Sequence, residues 1–119
     1  MIKFVILFRT PEDPEAFENT YNDFLALVER MPAIHRRQVA LTLGSPLGQP
    51  PYYRILELYY ESQAYLQASL LSPAGQEAGA ELARFGAGNT EMFFCEVYEE
   101  AGGSSAAQRS SSTSQDKGQ

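Results

Sequence analysis

One cysteine, one histidine and a shortage of basic residues set the first limits on this 119-residue chain. Cys95 alone cannot build a disulfide framework within the chain. A single His with a single Cys falls short of a usual zinc site, and no carboxylate spacing matches a calcium loop, so no metal is expected. Nine basic residues against fifteen acidic ones leave a formal charge of −6. That is the wrong sign for tracking a phosphate backbone, and no nucleic-acid partner is expected. Long hydrophobic runs are missing as well. Phe4 to Phe8 is followed at once by Arg9, too short a run for a signal-peptide core or a membrane span. The expectation is a cytoplasmic protein with no membrane partner.

Motifs of known catalytic mechanisms are absent too. Gly44-Ser45-Pro46-Leu47-Gly48 holds proline where a nucleophile elbow needs serine. Gly86-Ala87-Gly88-Asn89-Thr90-Glu91 leads into a strand, whereas a dinucleotide-binding turn leads into a helix. No cofactor is therefore expected.

What the chain does contain is a strand with two apolar faces. In Tyr52 to Tyr60, alternate residues fall into the sets Tyr52, Arg54, Leu56, Leu58, Tyr60 and Tyr53, Ile55, Glu57, Tyr59. Both sets are largely apolar, so the strand should be covered on both sides. Ile2 to Phe8 has the same character. His35 to Leu43 alternates apolar with more polar residues, and Arg36 and Arg37 suit an edge. Thr90 to Tyr98 is the fourth strand.

Helices are marked by their caps. Asp13, with Pro14 and Glu15 behind it, opens a helix whose inward stripe is Phe17, Tyr21, Phe24, Val28 and Met31, ended by Pro32. Ser62 caps a short helix with Tyr65, Leu66, Ser69 and Leu70, and Ser72-Pro73 restarts helix with Ala78, Leu82 and Phe85 inward until Gly86.

The order β-α-β-β-α-β with right-handed crossovers predicts an α+β, ferredoxin-like antiparallel sheet over residues 1–100, with strands one and three central. Residues 101–119, rich in Gly, Ser, Ala and Gln, read as a disordered tail. Both helical segments lie on one side of such a sheet. The bare apolar side predicts a homodimer through the sheet face.

Candidate site residues are few. His35 is the one group titrating naturally near neutrality. It reads either as an acid/base at the mouth of a pocket beneath the first helix or as a partly exposed strand-end histidine. Tyr21, Tyr53 and Tyr59 read as pocket aromatics for a small hydrophobic ligand or as core and interface residues, and Phe24 joins Tyr21 on the helix stripe. Glu57, mid-strand among apolar neighbours, needs a partner such as Arg54, Arg9 or Lys3.

Met1 to Phe8, Asp13-Pro14-Glu15-Ala16-Phe17 with Tyr21, and above all Pro50 to Ser62 resemble EthD-family proteins. Ser72 to Gln76 and Phe94-Cys95-Glu96-Val97 extend the resemblance to about residue 98. It implies a dimeric α+β barrel, two sheets packed face to face. It also implies catabolism of small hydrophobic or aromatic compounds, in the neighbourhood of oxidoreductases. The family is named for a protein encoded beside an ether-degrading cytochrome P450 system. The wider superfamily includes cofactor-free monooxygenases, isomerases and decarboxylases, and Tyr21 matches the family's aromatic position; Tyr21, with His35 for its titration near neutrality, is a candidate catalytic residue. A non-catalytic small-ligand-binding dimer is the other function considered. Many members carry His-x-Pro-Leu late in the first helix; here Phe24-Leu25-Ala26-Leu27 has neither the His nor the Pro.

Overall fold

A computed structural model describes residues 1–102. The expected tail from Ala101 thus falls almost wholly outside the described residues. Four strands, β1 (Ile2–Arg9), β2 (Arg36–Leu41), β3 (Tyr52–Tyr60) and β4 (Thr90–Glu96), form one antiparallel sheet ordered β2-β3-β1-β4. The central pair is β1 and β3, the two strands whose residues are apolar on both faces. The sheet is that of the ferredoxin-like α+β fold.

The caps act as their residue types require. Asp13 Oδ1 accepts from the Ala16 amide at 3.2 Å and opens α1 (Pro14–Val28). Ser62 Oγ accepts from the Tyr65 amide at the start of α2 (Gln63–Leu71), and Ser72 Oγ from the Gly75 amide at the start of α3 (Pro73–Glu81). Each satisfies a helix N–H that has no intrahelical acceptor. A 3₁₀ turn, Leu82–Phe85, ends at Gly86, whose φ of 97° is open to glycine and costly for other residues. At the α2–α3 corner the chains nearly touch. A Cβ added to Gly75 would lie 2.2 Å from the Ser69 carbonyl oxygen.

The core lies between the helices and one side of the sheet. Phe17, Tyr21, Phe24 and Val28 of α1 are buried against Phe4, Ile6, Phe8, Leu56, Leu58 and Tyr60. Phe8 is completely buried, its ring centroid 5.7, 5.4, 6.2 and 4.9 Å from those of Phe17, Tyr21, Phe24 and Phe85. Tyr60 meets Ser69 Oγ at 2.9 Å, so its buried hydroxyl is satisfied.

One irregularity corrects the simple alternation of β3. Phe8 pairs with Arg54 but Arg9 with Tyr52, leaving Tyr53 as the extra residue of a bulge. Tyr53 therefore shares the helix side with Arg54, and Tyr52 moves to the open side, where its hydroxyl donates to Glu91 at 2.9 Å. β2 ends at Leu41, short of the expected Leu43, and is exposed along its length. Among the described residues no helix is long and apolar enough to cross a membrane.

Candidate functional site

Between α1, α3 and the sheet lies a cleft of about 420 Å³. Phe24, Val28 and Met31 come from the α1 side, Phe4, Ile6 and Leu58 from the sheet, and Gly75, Ala78, Gly79 and Leu82 from α3 and the turn after it. Gly79 and Ala78 on α3 leave room that larger side chains would fill. Leu70, Gln76, Ala80 and Met92 complete the wall, and Gln76 Nε2 already donates to the Leu70 carbonyl at 3.0 Å. Among the described residues no acid or base lines this space. It can hold an apolar body, and its described lining offers no side chain for proton transfer.

A slightly larger cleft of about 440 Å³ flanks the start of α1, among Thr10, Asp13, Phe17, Thr20, Arg84 and Asn89. Two of its charged groups are engaged elsewhere: Asp13 caps α1, and Arg84 pairs with Asp23 and Glu81; Glu12 is the third charged residue of its lining. The apolar cleft is the better ligand site.

Next to Phe24, one turn back along α1, the core holds a buried arginine. Arg54 Nη1 and Nη2 bind Glu18 Oε1 and Oε2 at 2.9 and 2.8 Å. Its guanidinium carbon lies 4.5, 5.2 and 5.4 Å from the ring centroids of Tyr21, Phe17 and Tyr53, an aromatic cage of the kind that stabilises a cation through ring quadrupoles. Tyr53 adds a long hydrogen bond to Glu18 Oε2 at 3.4 Å. The bond from Arg54 holds the Glu18 carboxyl below the ordinary glutamate range. Burial pushes the Tyr21 phenol up, with the Arg54 charge opposing. Tyr21 Oη and Arg54 Nε are both buried without a hydrogen-bond partner among the described residues.

The expected site residues are divided by this geometry. Tyr21, Phe24 and Tyr53 gather on the helix side, although only Phe24 lines the cleft. Tyr59 belongs to the open side. Its hydroxyl lies 3.0 Å from Glu57 Oε1 and 3.1 Å from Gln38 Oε1, and Arg36 stacks on its ring at 3.8 Å. Lys3 is the partner Glu57 needed, at 3.0 Å, and this bond raises the Lys3 pKa. His35 does not rim the cleft. The turn through Ala33, with φ 69°, carries it to a separate hollow beside Glu61 and Tyr65, its Nδ1 3.5 Å from Glu61. Arg54 and the α3 wall were not anticipated from the sequence as site residues. The run Ala74-Gly75-Gln76-Glu77-Ala78-Gly79 was the available signal for the wall, and a lone arginine in an apolar strand was the signal for the cage.

No protein-family model matches the chain. An 11.0 kDa protein of Rhodococcus erythropolis, from the thcB-thcC intergenic region, is 35% identical over 96 residues, spanning 79% of this chain and 92% of that protein. The crystal structure of an ethyl tert-butyl ether D (EthD) family protein from Bacillus halodurans superposes with a TM-score of 0.78 at 27% identity, covering 82% of this chain and 99% of the other. A dimeric ferredoxin-like protein from Thermobifida fusca gives a TM-score of 0.62 at 17% identity over 81% of this chain and 90% of its own. SnoaB, a cofactor-independent oxygenase from Streptomyces nogalater, gives 0.57 at 17% over 83% and 94%. The last two likenesses are of fold alone.

Proposed function

The chain belongs to the EthD family, and from that premise we propose that it serves the catabolism of small hydrophobic or aromatic compounds, as an enzyme or an enzyme's accessory. The cleft of about 420 Å³ between α1, α3 and the sheet is the observation that carries this reading. A pocket of that size, apolar and with few polar groups, suits a compact hydrophobic molecule. The working unit in this proposal is a homodimer built through the helix-free side of the sheet. Val5, Leu7, Ile55 and Phe93 lie on that side by register, and the dimeric ferredoxin-like relative supports the arrangement.

A second reading, a binding dimer without catalysis, draws on the absence of any ionisable side chain among the described residues of the lining. Oxygenase chemistry in a protein of the same fold supports the catalytic version.

Gly79 provides the test, because it lines the cleft and a Cβ placed there meets nothing within 4 Å. Gly79→Leu should fill the cleft without disturbing the fold. Small phenols and alkylbenzenes should raise the melting temperature of the wild-type protein and leave that of Gly79→Leu unmoved. Equal shifts in both proteins, or none in either, would refute the site. Turnover of a bound compound would then separate the catalytic reading from the binding one.

A further inference from the structure

We propose that the cleft continues outward along β4, where Met92, Phe94 and Glu96 select phenols with an apolar para substituent. The substituent lies in the cleft, the ring on Phe94 and the hydroxyl at Glu96. The inference rests on the cleft being the ligand site and extends that reading to the class of compound.

Register places the three residues in line. Met92, Phe94 and Glu96 pair with Ile6, Phe4 and Ile2 of β1, and residues directly opposite each other on antiparallel strands share a side of the sheet. Ile6 and Phe4 belong to the core beneath the helices, so the three β4 residues lie on the helix side. Phe4, Ile6 and Met92 line the cleft. Phe94 is the remaining corner of that group, its ring centroid 5.1 Å from that of Phe4. Met92 is nevertheless 49% exposed and Phe94 58%, so the helices leave this edge of the sheet uncovered. A ligand reaches Phe94 from the mouth of the cleft without displacing a core side chain. The proposed dimer uses the opposite side of the sheet, where Val5, Leu7 and Phe93 lie, and leaves Phe94 free.

The order along the strand decides the chemistry. An apolar wall, an aromatic face and a carboxylate follow one another at steps of about 7 Å for every two residues. An apolar patch rimmed by a polar group marks a binding groove, and this one is continuous with the cleft. An aromatic ring stacked on Phe94 gains more than its apolar area alone. Beyond it, an ionised Glu96 only accepts hydrogen bonds. The Tyr98 hydroxyl already donates to it, but a carboxylate has about four acceptor sites, so a ligand O–H can be bound as well. An anionic group on the ligand would meet like charge there. A phenolic hydroxyl para to an apolar substituent matches wall, ring and carboxylate in that order.

Calorimetric titration of ethylbenzene, para-butylphenol, its methyl ether and para-butylbenzoate tests this. The proteins are the wild type, Phe94→Leu, Glu96→Ala and Gly79→Leu. Para-butylphenol should bind the wild type and para-butylbenzoate should not. Phe94→Leu keeps Phe4 covered and should weaken the phenol and its methyl ether about fivefold, the effect of one aromatic pair. Glu96→Ala should weaken the phenol about fivefold, the effect of one hydrogen bond, and leave the methyl ether, which has no donor, within about twofold. Ethylbenzene, short enough for the cleft, should change less than about twofold in both. Nuclear Overhauser contacts check the pose in the wild type without a variant: the phenol ring protons should meet Phe94 and the terminal methyl Leu82. Phenol affinity unchanged in both β4 variants, ring contacts to Phe24 instead of Phe94, or benzoate binding best would overturn the proposal while leaving the cleft in place. So would a changed mass of Phe94→Leu by light scattering with phenol affinity intact, which would make this edge a contact between copies. Ethylbenzene that fails to bind, or binds Gly79→Leu as well as the wild type, would remove the cleft and this inference together.

Discussion

Glu18 on α1 and Arg54 on β3 are joined by two parallel hydrogen bonds, at 2.9 and 2.8 Å, across the helix–sheet boundary. The pair is asymmetric in its surroundings: the Arg54 side chain is 7% exposed and that of Glu18 41%. Arg54 is stacked among aromatic rings while Glu18 reaches in from the edge. The carboxylate is therefore what makes a buried guanidinium tolerable.

A pH dependence follows from the sign of the Glu18 shift. Its folded pKa is lowered, first by the hydrogen bond from Arg54. The stability it contributes is fully present above the ordinary glutamate value of about 4.3 and is lost as pH falls through the lowered one. Urea midpoints should hold steady down to about pH 5 and decline below it. Glu18→Gln should flatten part of that decline and lower stability at neutral pH by about 1–2 kcal/mol, discounted for the solvent screening of Glu18.

Tyr21→Phe should do the opposite of most core substitutions. It removes a buried hydroxyl that has no partner and leaves the ring stacked on Phe17, with centroids 5.7 Å apart. In the absence of ligand the variant should be as stable as wild type or about 1 kcal/mol more stable by urea unfolding. A loss of more than that would show that the hydroxyl is satisfied in solution.

Two glycines of α3 should respond with opposite signs. Gly75→Ala drives a methyl into the Ser69 carbonyl, backbone against backbone, and should cost about 2–3 kcal/mol or more as the α2–α3 corner opens. Gly79→Ala meets open space and should gain about 0.5–1 kcal/mol from helix propensity. Paired thermal melts read both, and equal effects would contradict the geometry.

On the open side of the sheet, Ile55 pairs with Leu7 between the two central strands. Ile55→Lys should convert the proposed dimer to a monomer with an unchanged far-ultraviolet circular dichroism spectrum, because the core lies on the other side. Light scattering at low micromolar concentration checks it. For the wild-type protein, a stable dimer of this kind is expected to bury roughly 2,000 Å² or more.

Local rules carried much of the fold. Asp13, Ser62 and Ser72 announce their helices because a side-chain oxygen at a helix start has one job, to accept from an exposed backbone N–H, and each does so. The inward stripe of α1 was legible for the same reason, since steps of four, three and four residues force Phe17, Tyr21, Phe24 and Val28 onto one face. Residues apolar on both faces of Ile2–Arg9 and Tyr52–Tyr60 placed those strands at the centre of the sheet before any pairing was known.

The site was less legible, because it depends on contacts between distant parts of the chain. Strict alternation puts Tyr53 with Ile55 and Tyr59. One extra residue in the register between Phe8 and Arg9 sends Tyr53 to the helix side instead and leaves Tyr59 behind with Glu57 and Gln38. Nothing local to Pro50–Ser62 encodes that bulge, which arises in the pairing of β3 with β1. Likewise Arg54 looks in sequence like an interruption of an apolar strand, and only Glu18, 36 residues away, makes it a buried pair. Periodicity and capping are properties of neighbouring residues, so the sequence by itself determined the elements, their order and their apolar faces. Which side chains meet across the helix–sheet boundary is settled by register and packing between segments far apart in the chain, and the tertiary structure alone decided that.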